Sequence, residues 1–406
     1  MRAALPTPEH RLTPPWPGRG NARGPDRTLT LDGARGIHGL AVSGDGRLAW
    51  MAVYEAGEDA ERTRPEDLAL WLYDLDEARR VRRIDMPEAV VAAFHERQLL
   101  DMRPLMAGDG RWLILETAPN RQWAMYRRSQ LQLPTRYYVW DGRTGELVGE
   151  RATADDVSGL AEVAPDAEHL QVRELHGEDE PRRWRIALWS LPGLAGEPVF
   201  VGARPVRTRW DASRLGEPAV GQSTVSADGR RLAVAMSIRG RLRRDPLLPA
   251  PEWVQTFDLA SGEPVAMPVL WPGVLRPRIV ALRGDRLVVS FDPPGHGRRG
   301  DHYVYRLGQH AAELEAVVDL EGPGVVTSWL SPDASALVVA AHRNQEGTPL
   351  WRLDLASGEW AEPRSWREGD DMPRYQPTVS ADGRRAVVQR REQGPNDEPV
   401  LMIFDW

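Results

Sequence analysis

Two residue types are missing from this chain of 406 residues, which contains no cysteine and no lysine. Without cysteine, disulfide bonds, thiolate metal sites and cysteine nucleophiles are excluded. Without lysine, Schiff-base chemistry and the lysine of a phosphate-binding loop are excluded. All 52 basic residues are therefore arginine, and heavy use of arginine, alanine, glycine and proline without lysine indicates a GC-rich genome.

Long apolar runs are missing as well. No stretch approaches the ~18 consecutive apolar residues that a membrane-spanning helix needs. Met1 to Arg27 are rich in proline, glycine and arginine and lack the apolar centre of a secretion signal. The net charge of −7 disfavours bulk attraction to nucleic acid or anionic lipid. These features predict a cytoplasmic protein without a membrane or nucleic-acid partner.

A repeat organises the chain. Its first half is a short apolar run, a turn of the type Ser-Ala-Asp-Gly-Arg, and a second apolar run, with the clearest copies at Thr224–Ala235 and Thr378–Val388. Asp-Gly between two β-rich runs is a strong hairpin signal. Weaker copies centre on Asp45, Asp109, Asp166, Asp285 and Asp333. The turn aspartates are roughly 50 to 65 residues apart, which is typical of a four-stranded repeat with long loops.

The second half of the repeat is an aromatic and apolar strand that ends in an acidic residue, followed by a tight turn. Copies are Leu70–Asp74, Tyr138–Glu146, Val254–Glu263 and Trp351–Glu359, with worn versions at Ala187–Ser190 and Tyr303–Arg306. Each unit therefore contains four strands, a to d, and such sheets bury their faces by stacking around a ring. The sequence predicts an all-β, seven-bladed β-propeller with four antiparallel strands per blade. Helical spacing from Pro87 to Leu100 predicts a short helix between the first two blades.

The last copy, Val400 to Trp406, ends at strand c. The β-like run Arg27–Asp32 precedes the first strand a. We expect this N-terminal strand to supply the missing outer strand of the last blade, because closure of the ring removes an exposed edge. The predicted organisation is a flexible arm over residues 1–26 and a single propeller domain over residues 27–406.

The repeat resembles that of WD-repeat propellers and of related Asp-Gly-rich propellers of bacteria. The ending Phe257–Glu263 and the Ser-Ala-Asp-Gly-Arg turn carry this resemblance, which covers the chain from Arg27 onward. Trp140-Asp141 is the only Trp-Asp dipeptide that ends a strand c of the repeat, and no blade has the Gly-His signature, of which Ile37-His38-Gly39 is a relic. The resemblance implies a rigid scaffold for protein–protein contacts, with no catalytic residue and no cofactor.

In a propeller, the a–b and c–d turns lie at one end of the sheets, here called the turn end, and the b–c and inter-blade connections lie at the other, the loop end. The irregular loops of the loop end collect arginine, tryptophan and tyrosine, which are enriched at interface hot spots. The predicted partner-binding residues are Trp123, Tyr126, Arg127, Arg128, Arg182, Arg183, Arg239, Arg241, Arg243, Arg244, Arg298 and Arg299. Arginine pairs with carboxylates, so an acidic protein or peptide partner is expected. The alternative is ordinary solvated charge, neutralised by acidic neighbours such as Glu55.

Other motifs have simpler explanations. Gly295–Gly300 matches the dinucleotide fingerprint, but a strand follows it where the mechanism requires a helix. His296 and His302, with Asp292 and Asp301, lack the spacing of metal ligands. The turn aspartates are expected to bond their own backbone. The sequence thus predicts no metal site.

Three functions follow from this interpretation. The favoured one is a non-enzymatic scaffold whose loop end binds a protein or peptide. The second is a hydrolase or lyase with a site in the central funnel of the propeller. The third is a structural or gating subunit of a larger assembly. Since fold does not determine function, the preference for a scaffold depends on analogy.

Overall fold

Short hydrogen-bonded strands make up almost all of the described chain. The computed structural model describes residues 11–12, 23–56, 67–95, 100–119, 134–153, 157–163, 167–176, 183–196, 198–201, 217–226, 230–239, 252–265, 269–271, 276–283, 285–292, 302–308, 312–318, 325–331, 335–342, 348–366, 378–389 and 398–406. Within these residues the strands form seven sheets, which we number in chain order.

The first three sheets each contain four consecutive strands. Sheet 1 consists of β3 (Ala34–Val42), β4 (Leu48–Glu55), β5 (Leu68–Asp74) and β6 (Arg79–Asp85). Sheet 2 consists of β7 (Leu100–Ala107), β8 (Trp112–Pro119), β9 (Arg136–Asp141) and β10 (Leu147–Ala152). Sheet 3 consists of β11 (Val157–Val163), β12 (His169–His176), β13 (Arg183–Ser190) and β14 (Pro198–Val201). Neighbouring strands within these sheets are antiparallel.

Sheets 4 to 6 repeat the same order. Sheet 4 consists of β15 (Glu217–Val225), β16 (Arg231–Arg239), β17 (Glu252–Asp258) and β18 (Val269–Trp271). Sheet 5 consists of β19 (Arg276–Arg283), β20 (Arg286–Asp292), β21 (His302–Leu307) and β22 (Ala312–Val318). Sheet 6 consists of β23 (Val325–Leu330), β24 (Ala336–His342), β25 (Thr348–Asp354) and β26 (Arg364–Trp366).

Sheet 7 combines strands from both ends of the chain. It consists of β27 (Thr378–Val379), β28 (Arg385–Gln389), β29 (Val400–Asp405) and, beside β29, the N-terminal strand β2 (Arg27–Thr30). β2 runs antiparallel to β29, with Thr28 opposite Met402 and Thr30 opposite Val400. The still earlier strand β1 (Arg11–Leu12) adds to sheet 5 and runs parallel to β22. β2 therefore pairs with the last strand of the chain.

The helix α1 (Glu88–His95) joins sheets 1 and 2. It begins directly after Pro87, and Glu88 places a carboxylate in its first turn, where the helix dipole favours negative charge. The sequence predicts a helix that continues to Leu100, but Leu100 begins β7 and pairs with Pro119. The helix is thus shorter than predicted, because strand pairing with β8 sets the conformation of Leu100.

The two turns of each sheet are tied together at the turn end. In every sheet, the residue that ends or follows strand c donates a backbone hydrogen bond to a carbonyl of the a–b turn, at 2.6–2.9 Å. The pairs are Leu75 N with Arg47 O, Gly142 N with Arg111 O, Leu191 N with Glu168 O, Leu259 N with Arg230 O, Leu307 N with Asp285 O, Leu355 N with Ser335 O, and Trp406 N with Arg384 O. Recurrence of this bond in all seven sheets marks them as copies of one unit.

The a–b turn is stabilised by its own serine and aspartate. Asp45 Oδ1 accepts hydrogen bonds from Ser43 Oγ at 2.6 Å and from Arg47 N at 3.0 Å. Ser380 and Asp382 repeat this arrangement in sheet 7, where Asp382 Oδ1 accepts from Ser380 Oγ at 2.7 Å. The structural interpretation of the turn aspartates is confirmed for these turns, while Asp166, Asp228 and Asp333 lie outside the described residues.

Large aromatic side chains fill the spaces between sheets. Trp50, Trp71, Trp189 and Trp351 are fully buried. Trp50 of β4 lies in an apolar cluster with residues of sheet 2, and its Nε1 donates to Ile114 O at 3.0 Å. Burial of such rings supplies much of the packing energy of a core. The apolar core is therefore distributed between sheets, as expected of units that cannot bury their faces alone.

Each sheet contacts the next one in the chain. Glu116 of sheet 2 is buried, and its Oε2 accepts from Ala161 N of sheet 3 at 2.7 Å. β12 of sheet 3 lies against β15 of sheet 4. Later junctions contain the pairs Arg231 Nη1 with Leu307 O at 3.4 Å, His302 Nε2 with Ser328 Oγ, and Arg352 Nε with Gly383 O at 3.1 Å. Sheet 7 then meets sheet 1, where Ala381 N donates to Gly44 O at 2.9 Å.

Nearly all of the described structure is thus β, and its four-stranded sheets are consistent with a propeller. Within the described ranges, no helix is long and apolar enough to span a membrane.

Candidate functional site

Most of the predicted partner-binding residues lie outside the described residues. These are Trp123, Tyr126, Arg127, Arg128, Arg182, Arg241, Arg243, Arg244, Arg298 and Arg299. The backbones of the other two are placed: Arg183 begins β13 opposite His176, and Arg239 ends β16 opposite Glu217. Both positions are at the loop end of their sheets, as predicted. The proposed docking surface itself stays a prediction.

Glu55, the acidic residue expected to neutralise loop-end arginines, forms hydrogen bonds within its own sheet. Glu55 Oε1 accepts from Trp71 Nε1 at 2.8 Å, and both Glu55 oxygens accept from Arg83 Nε at 2.9 Å. The Arg80 guanidinium lies 4.6 Å from the centre of a Trp71 ring, within cation–π range. Glu55 therefore holds strands β4, β5 and β6 together.

At the turn end, a cluster of charged side chains joins sheets 7 and 1. We call Arg27, Asp76, Arg385 and Asp405 the closure cluster. Arg385 Nη1 donates to Asp76 Oδ1 and to Gly46 O, both at 2.9 Å, and its Nε donates to Asp405 Oδ1 at 2.5 Å. Arg27 Nη2 donates to Asp76 Oδ1 at 2.9 Å. The Asp76 carboxylate of sheet 1 thus accepts hydrogen bonds from an arginine of β2 and from an arginine of β28.

A second group extends this cluster toward sheet 6. Asp26 Oδ2 accepts from Asp405 N at 2.8 Å, and Asp26 Oδ1 accepts from Arg364 Nη1 at 3.3 Å. Arg364 lies on β26, is only 6% exposed, and also donates to the carbonyl of Asp405. The residue before β2 therefore connects the outer strand of sheet 6 with the last strand of the chain.

Electrostatics favour ionised carboxylates in these turns. Burial disfavours the charge of Asp76, but hydrogen bonds from Arg27 and Arg385 outweigh it and hold the pKa of Asp76 below its ordinary value of 3.8. The pKa values of Asp141, Asp258 and Asp354 are lowered as well. In each case the largest cause is a hydrogen bond from the backbone N–H of the residue three positions further along the chain. These oxygens accept bonds from the fold itself, so the four carboxylates stabilise the turns in which they lie.

Acid should therefore weaken the fold through these groups. A carboxyl group whose pKa is lower in the folded chain adds stability above its unfolded pKa, and that stability is lost as the pH falls through the folded value. We expect the free energy of unfolding, measured with urea between pH 7 and pH 2, to decline progressively below about pH 4.5. Asp76→Asn should make this decline shallower, and an unchanged slope in that variant would contradict the assignment.

A serine–histidine contact lies between sheets 5 and 6. His302 begins β21, is 3% exposed, and its Nε2 meets Ser328 Oγ on β23. The metal hypothesis for His302 does not explain this contact, and its proposed companions His296 and Asp301 lie outside the described residues. In the part of the chain that the structure describes, no three metal-ligating side chains converge.

Comparisons with known proteins identify the fold and nothing narrower. No family model and no curated protein matches the sequence. A chain of a mitotic checkpoint complex is 13% identical with a TM-score of 0.52, and the match covers 100% of this chain and 98% of that one. Prolyl oligopeptidase B from Galerina marginata is 9% identical with a TM-score of 0.55, and the match covers 92% of this chain and 50% of that one.

A third match, to a prolyl endopeptidase, is 14% identical with a TM-score of 0.50 and covers 88% of this chain and 47% of the other. The chain thus spans about half the length of the two prolyl peptidases. These neighbours are β-propeller proteins. At such low identity the likeness shows the fold alone, and the neighbours include both enzymes and a member of a protein complex.

Proposed function

We propose that the seven sheets form a closed seven-bladed propeller in which β2 is the outer strand of the last blade. The contacts between successive sheets support this arrangement, including the junction of sheet 7 with sheet 1 through Ala381 N and Gly44 O. Closure pairs the edge of β29, which would otherwise be free to template aggregation. Strands a of the seven sheets would then surround a central channel.

We further propose that this propeller is a scaffold whose loop end binds an acidic protein or peptide. The difference between its two ends is the observation that carries the proposal. At the turn end, short connections use their polar groups in bonds within the fold, as Asp45 does with Ser43. At the loop end, the connections between strands include residues 120–135, 202–216 and 240–251. Binding residues concentrate in such loops on rigid scaffolds.

The test compares two triple variants in co-purification from the source organism. Arg241, Arg243 and Arg244 are changed to serine in the loop-end variant. The matched turn-end variant changes Arg143, Arg230 and Arg384, which are exposed, to serine. Both variants lose three positive charges, so net charge alone does not distinguish them.

We expect a specific acidic partner to be recovered at least about 10-fold less with the loop-end variant, since each lost charge-assisted contact costs roughly 1 kcal/mol or more. Recovery with the turn-end variant should match that of the unmodified chain. Equal recovery with the unmodified chain and both variants would contradict a loop-end interface at these arginines.

A hydrolase is the second candidate, and the contact between Ser328 Oγ and His302 Nε2 favours it. A serine becomes nucleophilic when an adjacent histidine accepts its proton. Ser328 is half-buried on β23, a strand a that would line the channel. The chain should then hydrolyse p-nitrophenyl esters, and Ser328→Ala should abolish that activity. Equal rates for both chains would reject the candidate.

A further inference from the structure

The outer strand of one sheet meets the c–d turn of the next sheet. In sheet 1, Arg82 of β6 reaches the turn of sheet 2, where its guanidinium donates to Thr144 O at 2.7 Å and to Arg143 O at 2.5 Å. The stem of Arg82 covers Gly145, since a Cβ at Gly145 would lie 2.7 Å from Arg82 Cδ. Arg82 thus fills the space between sheets 1 and 2 at this rim.

Sheet 5 has a much smaller residue at the equivalent position. Arg82 lies beyond an irregularity in the pairing of β5 and β6, opposite Leu72. Ala316 lies beyond the same irregularity in the pairing of β21 and β22, opposite Val304. Alanine cannot reach the c–d turn of sheet 6, so a socket remains between Ala316 and the glycine of that turn, Gly358.

The socket is filled by Leu12 of the N-terminal arm. β1 runs parallel to β22, with Leu12 opposite Val318. Leu12 packs beside Ala316, Leu355 and Trp360 on the apolar cluster between sheets 5 and 6. A Cβ at Gly358 would lie 3.4 Å from Leu12 Cδ2, so the leucine covers Gly358 as Arg82 covers Gly145.

This resident strand uses little of the edge it occupies. β1 has two residues, whereas β22 has seven. The sequence places Pro8 and Pro14 on either side of β1, and proline has no backbone N–H to donate to a neighbouring strand. A segment without these prolines can pair with more of β22 and so displace the resident strand.

We propose that this socket and the edge of β22 form a second binding site, which takes an extended segment of a partner protein. The segment adds to sheet 5 as a parallel strand and seats a leucine-sized side chain where Leu12 lies. The segment carries an arginine next to that leucine, as the resident strand does with Arg11. Glu313 of β22 is exposed and acidic, whereas both oxygens of Glu315 are already paired with Arg286 and Arg306. The arm is then a competitor within the same chain, and its release opens the site.

The test uses a fluorescein-labelled peptide, Val-Glu-His-Arg-Leu-Thr-Val, which is residues 8–14 with both prolines replaced by valine. Fluorescence anisotropy measures its binding to the full-length chain and to the Leu12→Asp variant, in which the arm loses its anchor. We expect the variant to bind at least about 10-fold more tightly, because the tethered arm competes at high effective concentration in the unmodified chain.

Two controls locate the binding. A peptide with aspartate in place of leucine should not bind, and adding Ala316→Arg to the Leu12→Asp chain should abolish binding, since arginine fills the space as Arg82 does in sheet 1. Thermal melts verify that both chains fold. Equal binding of the two peptides would overturn the proposal. So would a concentration-dependent dimer of the unmodified chain that Leu12→Asp abolishes, because the site would then belong to a second copy.

Discussion

Replacing Arg385 with methionine should destabilise the protein by about 2–3 kcal/mol, somewhat less than the cost of breaking a fully buried ion pair. Its guanidinium joins β28 to Asp405 of the same sheet and to Asp76 and Gly46 of sheet 1. The Arg385 side chain is 17% exposed, and the carboxylates are 46% and 39% exposed, so water compensates part of the loss. Methionine preserves the packing of the stem and removes the charge.

The neighbouring residue provides the control. Arg384 is 73% exposed, and Asp382 is its ion-pair partner at 3.9 Å. Arg384→Met should change the free energy of unfolding by no more than about 0.5 kcal/mol, as is usual for exposed positions. Urea unfolding of both variants measures the difference. If both substitutions cost the same, Arg385 does not hold sheets 7 and 1 together.

Replacing Trp50 with alanine should have the largest effect of a single substitution, about 3–5 kcal/mol. The indole is completely buried between sheets 1 and 2. Its centre lies 5.9 Å from that of Trp140, and its Nε1 bonds Ile114 O at 3.0 Å. The substitution opens a cavity and leaves a buried carbonyl without this donor, and both changes disfavour the folded state.

Leu147→Ala is the matched control, since Leu147 is also apolar but 49% exposed on the outer strand of sheet 2. It should cost less than about 1 kcal/mol, because little apolar surface leaves the core. Equilibrium unfolding in urea, followed by circular dichroism, compares the two. A cost below 1 kcal/mol for Trp50→Ala would mean that sheets 1 and 2 do not pack through this residue.

Local signals in the sequence predicted the strands and turns well. The Asp-Gly pairs at Asp45 and Asp382 lie in a–b turns, with Gly46 and Gly383 at positive φ of 75° and 66°. Such turns can be predicted from the sequence because their backbone conformation depends on neighbouring residues. The strand at Arg27–Thr30 was also predictable from its β-like pattern.

Long-range contacts could not be predicted in the same way. Arg385 and Asp76 are 309 positions apart, and nothing in either local sequence marks them as partners. The pairing of Arg11–Leu12 with β22 was likewise missed, and the sequence favoured a flexible arm instead. The small side chain of Ala316 creates the socket for Leu12. This can be recognised only when β22 is aligned with β6, because Arg82 occupies the equivalent position there. The predicted loop-end residues were chosen by type and location, and only Arg183 and Arg239 among them lie within the described residues.

The pairing of β2 with β29 is the central claim, and the absence of cysteine allows a direct test of it. Thr30 and Val400 lie opposite each other, so cysteines at these two positions fall within the range that a disulfide bridges. Mild oxidation of the native Thr30→Cys, Val400→Cys chain should yield a monomeric, cross-linked product that migrates faster on a non-reducing gel. A Thr30→Cys, Thr144→Cys chain should not cross-link. Failure of the first pair to cross-link, or equal cross-linking of both, would contradict closure of the last sheet by the N-terminal strand.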